Sequence, residues 1–193
     1  MSRHHPTDPC SPVGSQGIPW QNRRVIHNEN PFAQGGDDLL RRFRGRLASP
    51  VTIVTAGDEG SQTGLTVSSL FAIEGDPALV YAAVGPNSDL FDMVQSTGKF
   101  VVHICRQGQD GLAEVFAGLR PSPGGMFSGT EWELSDWGPV LSVVPDRAFC
   151  SLQSIEERGW SGILVGKVDA TAHTNLVDPL VHFRGAYRKL GDR

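Results

Sequence analysis

Two short polar segments lie between apolar stretches of the chain, and each has residue types suited to holding part of a ligand. Thr66-Val67-Ser68-Ser69 has small side chains, hydroxyl groups and accessible amides, which suit the polar edge of a flat heteroaromatic ring. Gly85-Pro86-Asn87-Ser88-Asp89 has the composition of a helix N-terminus, whose unpaired amides and dipole attract a phosphate. A ring site and a phosphate site so close in sequence indicate a flavin, whose hydride chemistry a protein positions and tunes.

Each segment also has a simpler structural interpretation. The first is equally consistent with a β-bulge or with a polar strand facing solvent. The second is an ordinary helix cap if Asn87 or Ser88 serves as the N-cap, and the carboxylate of Asp89 would repel a phosphate. A third segment, Phe116-Ala117-Gly118, either places an aromatic edge and bare backbone on the same ligand or simply ends a core helix. The residues alone leave these alternatives open.

The elements that must position these segments are mostly strands. Alternating apolar residues and turn signals predict strands over 51–57, 63–73, 77–84, 100–105, 148–155, 162–172 and 180–187. Helices are predicted over 37–47, 89–97 and 110–117, and a Pro/Gly-rich loop over 119–137. Short turns dominate, and no regular strand–helix alternation with a GxGxxG motif occurs. This pattern favours a mostly β fold, an antiparallel barrel with flanking helices, over a Rossmann domain.

The first predicted helix is amphipathic. Its apolar residues, Leu39, Leu40, Phe43 and Leu47, fall on one face. The arginines at 41, 42, 44 and 46 form either a solvated outer face or a nucleotide-binding patch, and Arg46 is the best candidate for a ligand contact.

Length and composition indicate one domain with a tail. The chain has 193 residues and a formal net charge of −4, which leaves no basic surplus for nucleic acid. Residues 1–36 lack sustained periodicity, so we expect a flexible tail before a domain spanning 37–193. No apolar run approaches the ~20 residues of a membrane helix, and the first residues lack a signal-peptide core, so we expect a cytoplasmic protein. Cys10, Cys105 and Cys150 have no CxxC spacing, and we expect buried thiols and no metal site.

Eight segments follow one another in a recognisable order. They are RLASPVTIVTA (46–56), GLTVSS (64–69), DPALV (76–80), GKFVVHI (98–104), LAEVFAG (112–118), GPVL (138–141), GILVGKV (162–168) and PLVHFRGAYRKL (179–190). Each motif is loose by itself, but their order and spacing across about 145 residues are specific. Together they resemble the flavin reductase-like family of FMN-binding split-barrel proteins, the small partners of two-component flavin monooxygenases.

The resemblance implies a homodimer of antiparallel split β-barrels with FMN or FAD near the subunit interface. It implies that Thr66–Ser69 lie along the isoalloxazine and ribityl chain, and that Asn87 and Ser88 lie by the phosphate. The flavin-binding residues that the motifs and the resemblance together predict are Thr66, Val67, Ser68, Ser69, Gly85, Asn87, Ser88, Phe116, Ala117, Gly118, Arg46, Arg184 and Tyr187. Arg184 would supply positive charge that favours the anionic reduced flavin, or would be a surface arginine on the closing strand.

The chain departs from the family pattern on the side that faces the nicotinamide. Members usually carry Gly-Asp-His before the strand that here begins GILVGKV, whereas this chain has Gly159-Trp160-Ser161. We take Trp160 and Ser161 as the residues at the catalytic position. Ser161 can donate a hydrogen bond but cannot carry charge as histidine does, and Trp160 either stacks on a ring, plugs the slot or packs in a loop. His103 stands where the family commonly has asparagine, and we expect a hydrogen-bonded structural histidine.

These features predict an NAD(P)H-dependent flavin reductase that supplies reduced flavin to a separate monooxygenase. NADH or NADPH would be the hydride donor, and catalysis would come mainly from proximity and orientation. The alternative is a flavin-binding protein without nicotinamide activity, serving as a carrier or sensor or catalysing a different flavin-dependent reaction.

Overall fold

The structure is a computed structural model that describes residues 39–176 and 178–190. The predicted tail, residues 1–36, and the predicted start of the first helix at 37–38 lie outside the described residues. The helices are α1 (Leu39–Arg44), α2 (Asp89–Thr97) and α3 (Asp110–Phe116). The strands are β1 (Ser49–Pro50), β2 (Thr52–Ala56), β3 (Thr63–Val67), β4 (Leu70–Ile73), β5 (Leu79–Val84), β6 (Lys99–Ile104), β7 (Trp132–Ser135), β8 (Gly138–Leu141), β9 (Arg147–Arg158), β10 (Ser161–Ala172), β11 (Val181–Phe183) and β12 (Ala186–Arg188).

A curled antiparallel sheet of seven strands dominates the fold. Its strand order is β3-β2-β6-β9-β10-β5-β4, and smaller sheets are formed by β1-β11-β12 and β7-β8. β3 and β4 lie at opposite edges of the large sheet although only Ser68 and Ser69 separate them in the chain. Two residues can join the edges only because the sheet curls into a half-barrel. The predicted mostly β, antiparallel fold is confirmed.

The core has two parts, one on each face of β2. On one face, Val54 and Ala56 pack with the buried residues of α2 and of β5. On the other face, Val51 and Ile53 pack with α3, β8 and Leu180. All five residues of β2 are therefore buried. Accordingly, the side chains on both faces of this strand are apolar or carry hydroxyl groups that are hydrogen-bonded.

His103 on β6 joins three strands inside this core. Its side chain is completely buried, and its Nδ1–H donates to the Ile53 carbonyl of β2 at 3.1 Å. Its Nε2 accepts a hydrogen bond from the Leu141 amide of β8 at 3.0 Å. Burial lowers the pKa of His103 to about 4, so the ring is neutral at pH 7. The predicted structural role of His103 is confirmed.

Three predicted elements were wrong in detail. The segment 63–73 is not one strand, because the chain turns at Ser68-Ser69. The segment 180–187 is a hairpin, since Arg184 (φ 52°) and Gly185 (φ 75°) form a left-handed turn between β11 and β12. The loop 119–137 contains β7, which pairs with β8.

Three further predictions concern the first helix, the cysteines and membrane-spanning helices. α1 ends at Arg44, before its predicted end at Leu47, and Phe43 and Leu47, placed on its apolar face, are 59% and 52% exposed. Cys105 and Cys150 are buried free thiols, as predicted, and burial raises the pKa of each to about 12. Within 39–176 and 178–190 no helix is long and apolar enough to span a membrane.

Candidate functional site

The corner formed by Thr66–Ser69 is tied to three elements by hydrogen bonds. The Thr66 hydroxyl donates to the Ala113 carbonyl of α3 at 2.7 Å. The Thr52 hydroxyl of β2 donates to the Val67 carbonyl at 2.6 Å, and the Ala83 amide of β5 donates to the Ser69 carbonyl at 2.9 Å. The Thr66 hydroxyl is thus occupied by its hydrogen bond to α3. Ser68 is half-buried and Ser69 exposed, so the second half of the corner faces outward.

The N-terminus of α2 lies close to this corner, because Ser69 is bonded to Ala83, two residues before Gly85. Ser88 is the N-cap: its hydroxyl accepts from the Phe91 amide at 3.2 Å and donates to the Gly85 carbonyl at 2.7 Å. This cap occupies the Phe91 amide, so the amides of Asp89 and Leu90, which have no acceptor among the described residues, are the ones available for an anion. Asp89 in the first turn complements the helix dipole and opposes that anion.

The hairpin tip, defined here as Gly159–Ser161, lies beside the same helix end. Gly159 (φ 59°) and Trp160 form the turn between β9 and β10, and the Trp160 side chain is 52% exposed. Gly162 pairs with Val84, the last residue of β5, so the tip adjoins Gly85. A Cβ at Gly162 would lie 2.8 Å from Cδ2 of Phe91, and only glycine lets β10 approach α2 so closely. The predicted ring, phosphate and nicotinamide positions therefore converge.

The end of α3 carries the third predicted segment, Phe116-Ala117-Gly118. Phe116 is 1% exposed and packs edge-to-face on Phe127, with the ring centroids 5.2 Å apart. Ala117 is the C-cap, and Gly118 (φ 69°) follows it in the left-handed conformation that ends the helix. Phe116 is thus a core residue whose ring packs against Gly64 of β3, while Ala117 is half-buried and Gly118 exposed.

The two predicted arginines lie on neighbouring turns. The Arg184 amide donates to the Gly45 carbonyl at 3.2 Å, which brings its turn next to the one that holds Arg46. Both side chains are exposed, and the Arg184 guanidinium lies 5.3 Å from the centroid of the Phe183 ring. Arg184 therefore lies on a turn, and its predicted place on a strand was wrong. No hydrogen bond between described residues joins either arginine to the Thr66–Ser69 corner.

Tyr187 on β12 is half-buried and packs edge-to-face on His182 at 6.0 Å. Burial raises the pKa of its phenol, and the negative charges of Glu114 and Asp110 on α3 raise it further. Tyr187 lies on the α3 side of the molecule, and it is neutral at physiological pH.

Sequence reasoning missed three groups that hold the site together. The Ala113 carbonyl, which accepts from Thr66, is a main-chain atom and has no sequence signal. Gly162 and Phe91, whose close approach joins the hairpin to α2, are 71 positions apart, and only the β5–β10 register brings them together.

The family model for the flavin reductase like domain matches residues 44–191. The chain belongs to this family. It is 32% identical over 150 residues to a probable flavin reductase from Rhizobium meliloti, covering 77% of this chain and 47% of that protein. The chain therefore spans about half the length of that relative. It is also 31% identical over 164 residues to the FMN reductase (NADH) SmoA of Agrobacterium fabrum, covering 83% of this chain and 91% of SmoA.

A solved structure gives the same fold. The flavin reductase PheA2 in its native state superposes with a TM-score of 0.74 at 26% identity, covering 81% of this chain and 99% of that chain.

The residues of the site fit a flavin in their chemistry. The position where a Cβ would stand on Gly85 has no atom within 4 Å, so a ligand can approach the backbone there. Ser68, Ser69 and Asn87 are neutral and polar, as a pyrimidine edge and a phosphate require. Asp89 and Asp92, both in the first turn of α2, oppose an anion.

Proposed function

We propose that this protein is an NADH-dependent flavin reductase that uses FMN and supplies reduced flavin to a partner monooxygenase. The observation that carries the proposal is the convergence of the Thr66–Ser69 corner, the α2 N-terminus and the hairpin tip at one end of the sheet. Bound flavin supplies the acceptor for the nicotinamide hydride and carries the electrons onward. The similarity to SmoA, named an NADH-dependent FMN reductase, supports this choice of nucleotide and flavin over NADPH and FAD.

The flavin side of the site uses backbone and neutral side chains. Ser68 and Ser69 offer amides and hydroxyls to the ring edge, and the corner holds them because Thr66 and Val67 are bonded to α3 and β2. The α2 N-terminus, with Asn87 and the Ser88 cap, would bind the phosphate. Arg46 and Arg184 would add positive charge from the neighbouring turns, and Tyr187, Ala117 and Gly118 would complete the border.

The nicotinamide side depends on the hairpin tip. Trp160 presents a large exposed aromatic surface, which suits stacking on a nicotinamide or an adenine ring. Ser161 is half-buried at the start of β10 and can donate one hydrogen bond. We therefore expect these two residues to orient the dinucleotide by stacking and hydrogen bonding, and proximity to supply the rate.

The partner follows from the chemistry of the product. A free reduced flavin reacts with oxygen, so a reductase of this kind works with an enzyme that consumes it, and the family resemblance points to a flavin-dependent monooxygenase. Reduction of FMN coupled to product formation by a candidate oxygenase would test this; FMN reduction that no oxygenase can use would contradict it.

A second copy of the chain is the other proposed partner. The outer face of β4 exposes Phe71 (58%) and Ile73 (46%), and the Phe71 ring stacks on Tyr81 with centroids 4.9 Å apart. Such an apolar face is typical of an interface, and the family resemblance favours a homodimer. Sedimentation of wild type and Phe71→Glu would test this: a monomeric wild type contradicts it.

One observation favours a second function, namely a flavin-binding protein without nicotinamide activity. The Asp and His of the family pattern are absent at Trp160-Ser161, and a bulky indole at the tip can block the slot.

The deciding experiment is anaerobic reduction of FMN by NADH, with NADPH run in parallel. We expect reduction by the wild type and faster reduction by the double variant Trp160→Asp/Ser161→His, which restores the family pattern. Trp160→Phe/Ser161→Ala is the matched control and should not gain activity. If neither nucleotide reduces FMN while the protein still binds it, the second function is correct. If FMN does not bind, both are wrong.

A further inference from the structure

Positive charge is concentrated in two segments of the chain. Residues 39–57 and 179–190 together hold seven of the 17 lysines and arginines and none of the 21 aspartates and glutamates. The rest of the chain is therefore strongly negative, although the formal net charge of the whole protein is only −4. Such a segregation of charge creates a local field that the net charge does not reveal.

The fold brings the two segments together. β1 pairs with β11 and β11 with β12, and the Arg184 amide donates to the Gly45 carbonyl at 3.2 Å. Five of the cations are exposed and form no ion pair with another described residue, and we call them the basic surface: Arg44, Arg46, Arg184, Arg188 and Lys189.

β1 connects the basic surface to the Thr66–Ser69 corner. Only Val51 separates β1 from Thr52, the first residue of β2, and Thr52 pairs with Val67 in the corner. Arg188 lies two strand spacings from Pro50, about 10 Å, because Val181 pairs with both residues. At an ionic strength of about 10 mM the screening length is about 30 Å, so these cations attract an anion that approaches the corner without touching it.

The charges beside the α2 N-terminus have the opposite effect. Asp89 and Asp92 lie in the first turn of α2, and the exposed Glu157 pairs with Gly162 next to the hairpin tip. A phosphate monoester carries a charge of about −1.5 to −2 at pH 7, so these carboxylates repel the phosphate of FMN. The attraction that brings such an anion to the site must then come from other residues, and the basic surface supplies it.

We propose that the basic surface steers phosphorylated flavins to the corner, so that the protein selects FMN over riboflavin through the rate of association. The proposal rests on the proposed function, because it names the class of flavin that the same site receives. Arg188 and Lys189 act before contact and do not touch the bound flavin. Riboflavin has the same ring system and no phosphate, so the basic surface does not affect its association.

The test is stopped-flow measurement of flavin fluorescence on mixing with the full-length protein, in the absence of nicotinamide nucleotide. We expect the association rate of FMN to fall about threefold or more between about 10 and 150 mM ionic strength, and that of riboflavin to stay constant. The same salt dependence for both flavins would overturn the proposal. If neither flavin binds, the proposed function itself is wrong, and this proposal is wrong with it.

Lys189→Glu and Lys99→Glu form a matched pair, because both lysines are exposed and both substitutions change the charge by the same amount. Lys99 begins β6, whereas Ile104, which pairs with Thr52, lies at the other end of that strand. At about 10 mM ionic strength, Lys189→Glu should slow FMN association about threefold, and Lys99→Glu less than half as much. The dissociation rate of FMN and both rates for riboflavin should match the wild type.

Arg188→Glu is a second test of the basic surface and should act like Lys189→Glu. If Lys99→Glu slowed FMN association as much as these two variants, the net charge and not the basic surface would govern the rate, and the proposal would be wrong. A slower association of riboflavin in Lys189→Glu and Arg188→Glu would also contradict it, because the substitutions would then have changed the site itself.

Discussion

The Thr66–Ser69 corner and the hairpin tip border the same proposed site, but the fold holds them in opposite ways. The corner is bonded to α3, β2 and β5. The tip is an exposed turn at the end of two twelve-residue strands. A substitution at the corner disturbs its hydrogen bonds to α3, β2 and β5, whereas a substitution at the tip leaves the packing of the core unchanged. The family resemblance implies a departure at the tip, at Trp160-Ser161, and a match at the corner.

The largest expected effect is at Gly162, which directly follows the hairpin tip and packs against α2. Gly162→Ala would force a methyl group into the Phe91 ring and push β10 from α2. We expect a loss of up to about 3 kcal/mol in the free energy of unfolding, as for other overpacked sites. Urea unfolding measures this loss, and FMN affinity should fall too because α2 is displaced.

Gly129→Ala is the matched control for this substitution. A Cβ there has no atom within 4 Å, and the backbone is not in the left-handed region. It should change stability by less than about 0.5 kcal/mol. If both variants were equally stable, β10 would tolerate a side chain at Gly162 as well as the tip does. The proposed difference between the corner and the tip would then be wrong.

The next effect tests how β2, the strand whose Thr52 hydroxyl is bonded to the corner, is held. The pKa of His103 is about 4 in the folded protein, below its unfolded value of about 6.5. Below pH 6.5 the unfolded chain takes up a proton that the folded protein does not, so stability is full above that pH and falls as the pH decreases toward 4. Between pH 8 and pH 5 this costs about 2 kcal/mol.

His103→Asn isolates this contribution, because it removes the titrating ring. We expect the unfolding free energy of the wild type to drop by about 2 kcal/mol more than that of His103→Asn over the same pH interval. Parallel pH profiles for the two proteins would mean that His103 is protonated in the fold or solvated, and that β2 is held in another way.

The smallest effect separates two neighbours at the α2 N-terminus. Ser88→Ala removes the cap on the Phe91 amide and should cost about 1 kcal/mol in stability. Asn87 is exposed, and Asn87→Ala should leave the melting temperature unchanged. Both should weaken FMN binding if the phosphate lies there; FMN affinity that neither changes would remove the helix end from the proposed site.

The sequence predicted the helix cap at the proposed site better than the path of the chain. Ser88 was identified as a possible cap because serine with free amides behind it has a local signature. The turn at Ser68-Ser69 was not identified, because these small residues continue the alternation of 63–73. In sequence, two strands at opposite edges of a sheet that are joined by such residues look like one continuous strand. Arg184-Gly185 was read as strand, although a glycine flanked by β-residues also marks a tight turn.

Contacts between distant residues could not be predicted at all. The approach of Gly162 to Phe91 and the bond from Thr66 to the Ala113 carbonyl depend on register and on main-chain position, and neither leaves a trace in residue type. The placement of Arg46 beside Arg184 depends in the same way on one amide bonded to the Gly45 carbonyl.

The joining of the sheet's two edges at Ser68-Ser69 has a consequence for folding. The β2–β3 and β4–β5 hairpins on either side of this corner are local in sequence, and they can form early at small entropic cost. The site is complete only when Val84 has paired with Gly162. In sequence, these two residues are among the most distant partners in the sheet. A ligand that bridges the corner and the helix end therefore binds only to chains that have finished folding.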